Sequence, residues 1–232
     1  MRNVVKWAVA CLAVLCFALG PAQTPQPDPA RTRATFQEAW HVYLQSYSAA
    51  TDSEEKALSR KALQLFKTLL PAIPKTAGIY DSILFRTQYT IGELEHYFKN
   101  LPGALQHYEA AVALRSRTNL PDSFFFKPLI FSGIIHYHQN QLDGAAKLFL
   151  QAEEIQNRYA VPLEESQRLY NTLGIINYET GNYRQAKHYF QKALDILSRA
   201  NPSFTDLFVN YKINLAQIHF RLQEYKEATR IY

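Results

Sequence analysis

Cysteine is nearly absent from this 232-residue chain: Cys11 and Cys16 are the only two, and both lie within the first 22 residues. Beyond them there is no thiol, which excludes disulfides, a cysteine nucleophile and a thiolate metal site in the rest of the chain. A charge excess is lacking too. Without Arg2 and Lys6 the 25 basic residues fall to 23 against 20 acidic ones, about +3, too near neutral to argue for nucleic acid. No basic arm and no aromatic-basic stripe of the RNA-binding kind is present, and no strand-period segment stands out. A Gly-x-Ser-x-Gly elbow, a phosphate loop and a His-Glu-x-x-His pair are all missing. His136 and His138 are two apart and so point to different faces of a helix, without a carboxylate or third histidine at ligand spacing. Neither a metal nor a cofactor is expected, and His41, His107 and His188 read as solvent-facing or packing residues.

Long apolar runs are also scarce. One, from Trp7 to Leu19, follows Arg2 and Lys6 and ends at Gly20-Pro21-Ala22. It is too short to span a bilayer comfortably and has the layout of a cleaved secretion signal over residues 1–22. Leu15 before Cys16 does not suit a lipid-attachment box, and the apolar run ahead of Cys11 is too short for one. Residues 23–31, rich in proline and glutamine, read as a flexible leader. These features predict export, to the periplasm or cell envelope of a bacterium, with no membrane span after the signal.

What the chain has is a recurrence. An alanine followed four residues later by an aromatic occurs as Ala62/Phe66, Ala104/Tyr108, Ala145/Phe149, Ala186/Phe190 and Ala228/Tyr232, at intervals of 42, 41, 41 and 42. Twelve residues before each alanine stands a small residue: Ala50, Gly92, Gly133, Gly174 and Ala216. Small residues let two helix backbones approach, and the aromatic is expected to fill the gap between neighbouring hairpins. A hairpin alone would leave an apolar face wet, so the units must stack. The pattern predicts helices over 32–50, 54–70, 76–98, 102–118, 122–139, 142–159, 163–180, 183–199, 203–222 and from 225 onward. They group into units at 32–73, 76–119, 122–160, 163–200 and an incomplete 203–232. The solenoid therefore occupies 32–232.

The string from Leu169-Tyr170-Asn171-Thr172-Leu173-Gly174 through Tyr178, Gly181-Asn182-Tyr183, Ala186 and Phe190 to Ala193-Leu194 resembles the tetratricopeptide repeat (TPR). The resemblance covers about 76–232 well and 34–75 weakly. It implies an all-α, right-handed solenoid of about five hairpins that serves protein–protein interaction. Three departures stand out. The units exceed the family's usual length of about 34 residues, as in the longer repeats resembling those of kinesin light chains. Prolines placed later in the later units (Pro121, Pro162 and Pro202, against Pro74) predict that their second helices gain about a turn. The first aromatic of the family's usual pair on the first helix is replaced by Glu95, His136, Asn177 and His219, and Thr51-Asp52-Ser53 reads as a helix cap in the first unit.

The resemblance also assigns the groove to the first helix of each hairpin. By register this gives a ladder of Arg86, Lys127 and Arg168 with Asn210 in the next unit, suited to an acidic peptide or chain-end carboxylate. The alternative is that these are solvated charges at exposed helix starts. A second ladder, His96, Tyr137, Tyr178 and Phe220, could offer flat surfaces to an extended peptide or serve packing alone. The family's carboxylate clamp is not reproduced, since its positions hold Tyr89, Glu93, Ile130, Ile134, Asn171 and Ile175.

The expectation is a non-catalytic scaffold binding a protein or peptide. The alternative is the recognition region of a longer exported protein, resembling those that end in a CHAT-type peptidase or a sensor kinase or regulator. The last residues, Tyr225, Ala228, Ile231 and Tyr232, present an apolar packing side rather than a polar cap, which favours a continuation. A nutrient-binding lipoprotein on the same repeats fits the poor lipid-attachment sequence less well.

Overall fold

An aspartate ahead of a proline starts the first helix: Asp28 accepts a hydrogen bond from the Ala30 N–H at 2.9 Å, and Pro29 occupies the first turn, where it needs no backbone donor. The computed structural model describes residues 28–74, 78–159, 161, 163–199 and 205–231. The signal peptide and most of the leader, within 1–27, lie outside the described residues. The leader was expected to extend to residue 31, but 29–31 form the opening turn of α1 (Pro29–Tyr47) because of this cap.

Each helix is followed by an antiparallel neighbour. The order is α1, α2 (Asp52–Leu69), α3 (Asp81–Tyr97), α4 (Leu101–Ala113), α5 (Phe126–His138), α6 (Leu142–Arg158), α7 (Leu163–Glu179), α8 (Tyr183–Arg199), α9 (Thr205–Arg221) and α10 (Tyr225–Ile231). Packing is between consecutive helices, with weaker contacts between α5 and α7 and between α1 and α3. This is the near-neighbour pattern of a right-handed α-solenoid built from hairpins. Among the described residues there is no strand, and no helix is long and apolar enough to cross a membrane.

The repeat's small and aromatic positions form the core. Ala62, Ala104, Ala145 and Ala186 are fully buried, as are Phe66, Tyr108, Phe149 and Phe190 to within 2 %. The aromatic does not simply fill space between hairpins, as the spacing suggested. It lies over the glycine of its own hairpin: a methyl on Gly92, Gly133 or Gly174 would stand 2.7, 2.8 or 2.9 Å from the rings of Tyr108, Phe149 and Phe190. Tyr108 also reaches onward, stacking on Phe131 of the next unit at 5.5 Å.

The first unit departs from this register. Ala50, expected as its small residue, is exposed in the α1–α2 turn. Phe66 instead packs against Phe36 and Tyr43, and fully buried Ala39 lies between those two on the same face of α1. Both helices of this hairpin run on past their crossing, so the turn, between Tyr47 and Asp52, falls earlier than the repeat implies. Thr51 caps α2 through the Glu54 N–H, as its Thr-Asp-Ser sequence indicated.

The expected lengthening of the second helices holds only at their C-terminal ends. Beyond the repeat alanine, α6 and α8 continue to Arg158 and Arg199, α4 loosens into a 3-10 turn at Leu114–Ser116, and α2 ends at Leu69. At the other end α2 is the longer one, so 18 residues make it the longest of the four.

Candidate functional site

The turns that set the first helices are built alike. Lys99, Asn140, Gly181 and Gln223 all have positive φ (64, 60, 78 and 62°), and each follows the end of a first helix. Around them the amide N–H groups of Asn100, Gln141, Asn182 and Glu224 donate back to the carbonyls of Glu95, His136, Asn177 and His219. This is a Schellman-type close. It accounts for the polar residues that replaced the family's aromatic. Glu95 accepts from Asn100 at 2.7 Å, His136 pairs with Gln141, and His219 pairs with Glu224 at 2.6 Å. Each of these brackets also reaches the preceding unit: Lys67 pairs with Glu95, Glu109 with His136 (3.1 Å) and Lys187 with Glu224 (2.6 Å). Asn177 instead donates to the Leu173 carbonyl.

These brackets hold the first helices in step, and the residues expected to line a groove lie on those helices. Arg86 on α3 is exposed, with its guanidinium 5.4 Å from the Trp40 ring and 6.0 Å from Phe124. Arg168 on α7 is exposed and stands 5.6 Å from the Phe131 ring. Neither has a carboxylate partner among the described residues. Lys127 between them is different: its ammonium pairs with Glu165 at 2.9 Å. Burial works against the charge on Lys127, but Glu165 and Glu93 outweigh it and hold the pKa above the usual lysine value. Asn210 is exposed on α9. The basic ladder thus has two open cationic rungs with an internally paired one between them.

The aromatic ladder is mostly occupied by contacts between units. His96 packs edge-on to Tyr108 and Phe131, and burial, helped by Lys99 and Arg168, lowers its pKa and favours the neutral ring. The Tyr137 hydroxyl donates to Glu179 at 2.8 Å, and burial together with that carboxylate pushes its pKa up to about 12. The Tyr178 hydroxyl accepts from the Arg221 guanidinium at 3.2 Å. Phe220 is the open member, 62 % exposed beside Tyr225.

Two features were missed by register. The first is a cavity of about 280 Å³ whose walls are Trp40 from α1, Phe85 and Tyr89 from α3, Phe124 from the turn before α5, and Val161, with Arg86 and Lys127 among its residues. The second is a hydroxyl–carboxylate cluster beside it. Glu93 accepts from Tyr43 at 2.8 Å and from Tyr89 at 2.7 Å, and the Tyr47 hydroxyl lies 2.6 Å from that of Tyr43. Burial pushes the Glu93 carboxyl above the ordinary range despite those two donors and Lys127. The lone tryptophan beyond the signal segment and the Phe124-Phe125-Phe126 run were the available sequence signals. Among the described residues no group of three or more histidine, cysteine, aspartate or glutamate side chains is placed to hold a metal ion.

Stacked helical hairpins with the first helices brought to one face define a repeat solenoid of the interaction-scaffold class. Residues 128–199 match the family model described as "Tetratricopeptide repeat", and the fold is that of tetratricopeptide-repeat solenoids. Among solved structures it is similar to BtubC (BKLC) from P. vanneervenii, at 18 % identity over 91 % of this chain and 89 % of that one, with a TM-score of 0.63. A putative kinesin light chain from Podosopora anserina aligns at 15 % identity over 88 % and 92 % of the two chains, with a TM-score of 0.58. MamA from Desulfovibrio magneticus RS-1 aligns at 14 % over 85 % and 90 %, with a TM-score of 0.59. At these identities the likeness shows the fold alone. Among curated proteins none matches the sequence.

Proposed function

We propose that this protein is a non-catalytic scaffold, exported from a bacterial cytoplasm, that captures an acidic segment of another protein on the face of its first helices. Tetratricopeptide folds serve protein–protein interaction generally, and the finer reading rests on charge. The observation that carries it is that Arg86 and Arg168 stand exposed over aromatic rings without a carboxylate partner among the described residues. A guanidinium held against a ring keeps its donor fork available and binds carboxylates in bidentate fashion. Lys127, engaged by Glu165, contributes less. Export rests on Arg2 and Lys6 ahead of the apolar run from Trp7 to Leu19.

The test is charge reversal. Arg86→Glu with Arg168→Glu is expected to abolish recovery of an acidic partner in a pull-down from envelope extract, while Lys127→Glu alone weakens it less. Helical circular dichroism should stay unchanged in both variants. Undiminished capture by the double variant would remove these two residues from the binding face.

A further inference from the structure

Three residues before each rung of the expected basic ladder, the repeat places an apolar side chain, with one exception. Counting back from Arg86, Lys127 and Asn210 gives Ile83, Phe124 and Leu207, each partly buried and packed against the core. Counting back from Arg168 gives Glu165. The Glu165 side chain is only 17 % exposed, so a carboxylate stands where packing elsewhere puts hydrocarbon. Partial burial of a charge costs free energy unless a partner meets it. Here the partner is Lys127 of the preceding unit, its ammonium 2.9 Å away.

The pair falls where it engages a cation of the expected groove. Lys127 and Arg86 border the same cavity of about 280 Å³, so positive groups from two adjacent units converge on one space. Lys127 still keeps 46 % of its side chain exposed, which leaves it within reach of a carboxylate from outside. Glu93 also acts on Lys127, but the Tyr43 and Tyr89 hydroxyls hold it at 2.8 and 2.7 Å. Glu165 is the looser of the two: among the described residues its carboxylate pairs with Lys127 alone. Release does not require α7 to move. The Ser166 hydroxyl donates to Gln156 on α6 at 2.6 Å, and Gln167 accepts from Tyr211 on α9, so the first turn of α7 stays fastened while the Glu165 side chain rotates away.

We propose that Glu165 is a built-in competitor of the acidic partner: its carboxylate occupies Lys127 in the free protein, and an incoming carboxylate displaces it to reach Lys127 together with Arg86. This rests on the acidic-partner reading above and adds the residue that limits the affinity of that face. Exchanging one carboxylate for another on Lys127 yields little net gain, so the wild type binds through Arg86 and Arg168 and the third cation adds to the affinity only when Glu165 is neutral.

Anisotropy titration of the full chain with a labelled hexaglutamate peptide tests this. Glu165→Gln, which keeps the side chain's shape, should bind the peptide about fivefold more tightly than the wild type, the worth of one partly exposed ion pair. Lys127→Gln alone should stay within about twofold of the wild type, and adding it to Glu165→Gln should cancel the gain. Unchanged or weaker binding by Glu165→Gln overturns the proposal. A gain that persists in the double variant overturns it as well, because the effect would then be the loss of a negative charge from the surface and not the release of Lys127. Binding that is lost in the Arg86→Glu, Arg168→Glu variant but unmoved by Glu165→Gln overturns the competitor role and leaves the scaffold reading intact. A peptide that binds neither the wild type nor Glu165→Gln at millimolar concentration overturns both.

Discussion

Gly133 shows how much a single absent methyl decides. The Phe149 ring occupies the space where its Cβ would be, at 2.8 Å, and that ring is itself fully buried. Gly133→Ala is therefore expected to destabilise the fold by about 1–3 kcal/mol, because the ring has no free volume to move into. Equilibrium urea unfolding checks this, and an unchanged midpoint would mean that α5 and α6 separate easily. On α3, two carboxylates two residues apart meet opposite environments. Glu93 is buried among tyrosines and its pKa is raised. Its folded form therefore holds a proton more tightly than the unfolded chain, and stability is lost as pH rises through the folded pKa. For Glu95 burial is outweighed by Lys67 and Asn100 and the pKa is lowered. Its contribution is present above the unfolded value and is lost as pH falls through the folded pKa. Glu93→Gln should accordingly match or exceed the wild-type melting temperature at pH 7 and lose that advantage below about pH 4.5. Glu95→Gln should be destabilised by about 1 kcal/mol at pH 7 and converge on the wild type in acid. Melting curves across pH would contradict this if the two variants moved in the same direction.

At the scale of the element, the hairpin turn carries a second repeat that residue type conceals. The left-handed position is glycine once, at Gly181, and otherwise Lys99, Asn140 and Gln223. Side chains with a Cβ are strained there by about 1 kcal/mol. Lys99→Gly and Gln223→Gly should each stabilise the protein by about 0.5–1 kcal/mol, and Gly181→Ala should destabilise it by a similar amount, as read from thermal or urea melts. Opposite signs would mean that these turns relax out of the left-handed region. This contrast also explains what could be read in advance. Helix order and the small and aromatic registers were legible because alanine, glycine and aromatic positions repeat by identity. The turn geometry was not, because the backbone repeats while the residues differ. The first hairpin was misread at Ala50 because its helices continue past their crossing, which shifts Ala39 out of the common interval. The positions of Arg86, Lys127 and Arg168 on successive first helices could be placed by register. The cavity could not, because Trp40 and Val161 enter it from a first helix and a loop that share no register with Arg86.

Across the whole molecule, the same stitching that holds the units in step also decides which side chains remain free. Tyr43 reaches Glu93, Lys127 reaches Glu165, Tyr137 reaches Glu179 and Arg221 reaches Tyr178, each bond joining one first helix to the next. These polar groups are thus engaged within the array, and the exposed guanidinia of Arg86 and Arg168 stand out against them. Charge left open on a rigid, pre-formed surface is what steers an oppositely charged partner and fixes its register. The most direct measurement is selection of random peptides against the wild-type array and against the Arg86→Glu, Arg168→Glu variant, with sequencing of the bound fraction. The wild type is expected to enrich peptides rich in aspartate and glutamate, and the variant to lose this preference. Enrichment of neutral or basic peptides by the wild type, or the same acidic sequences from both proteins, would contradict it.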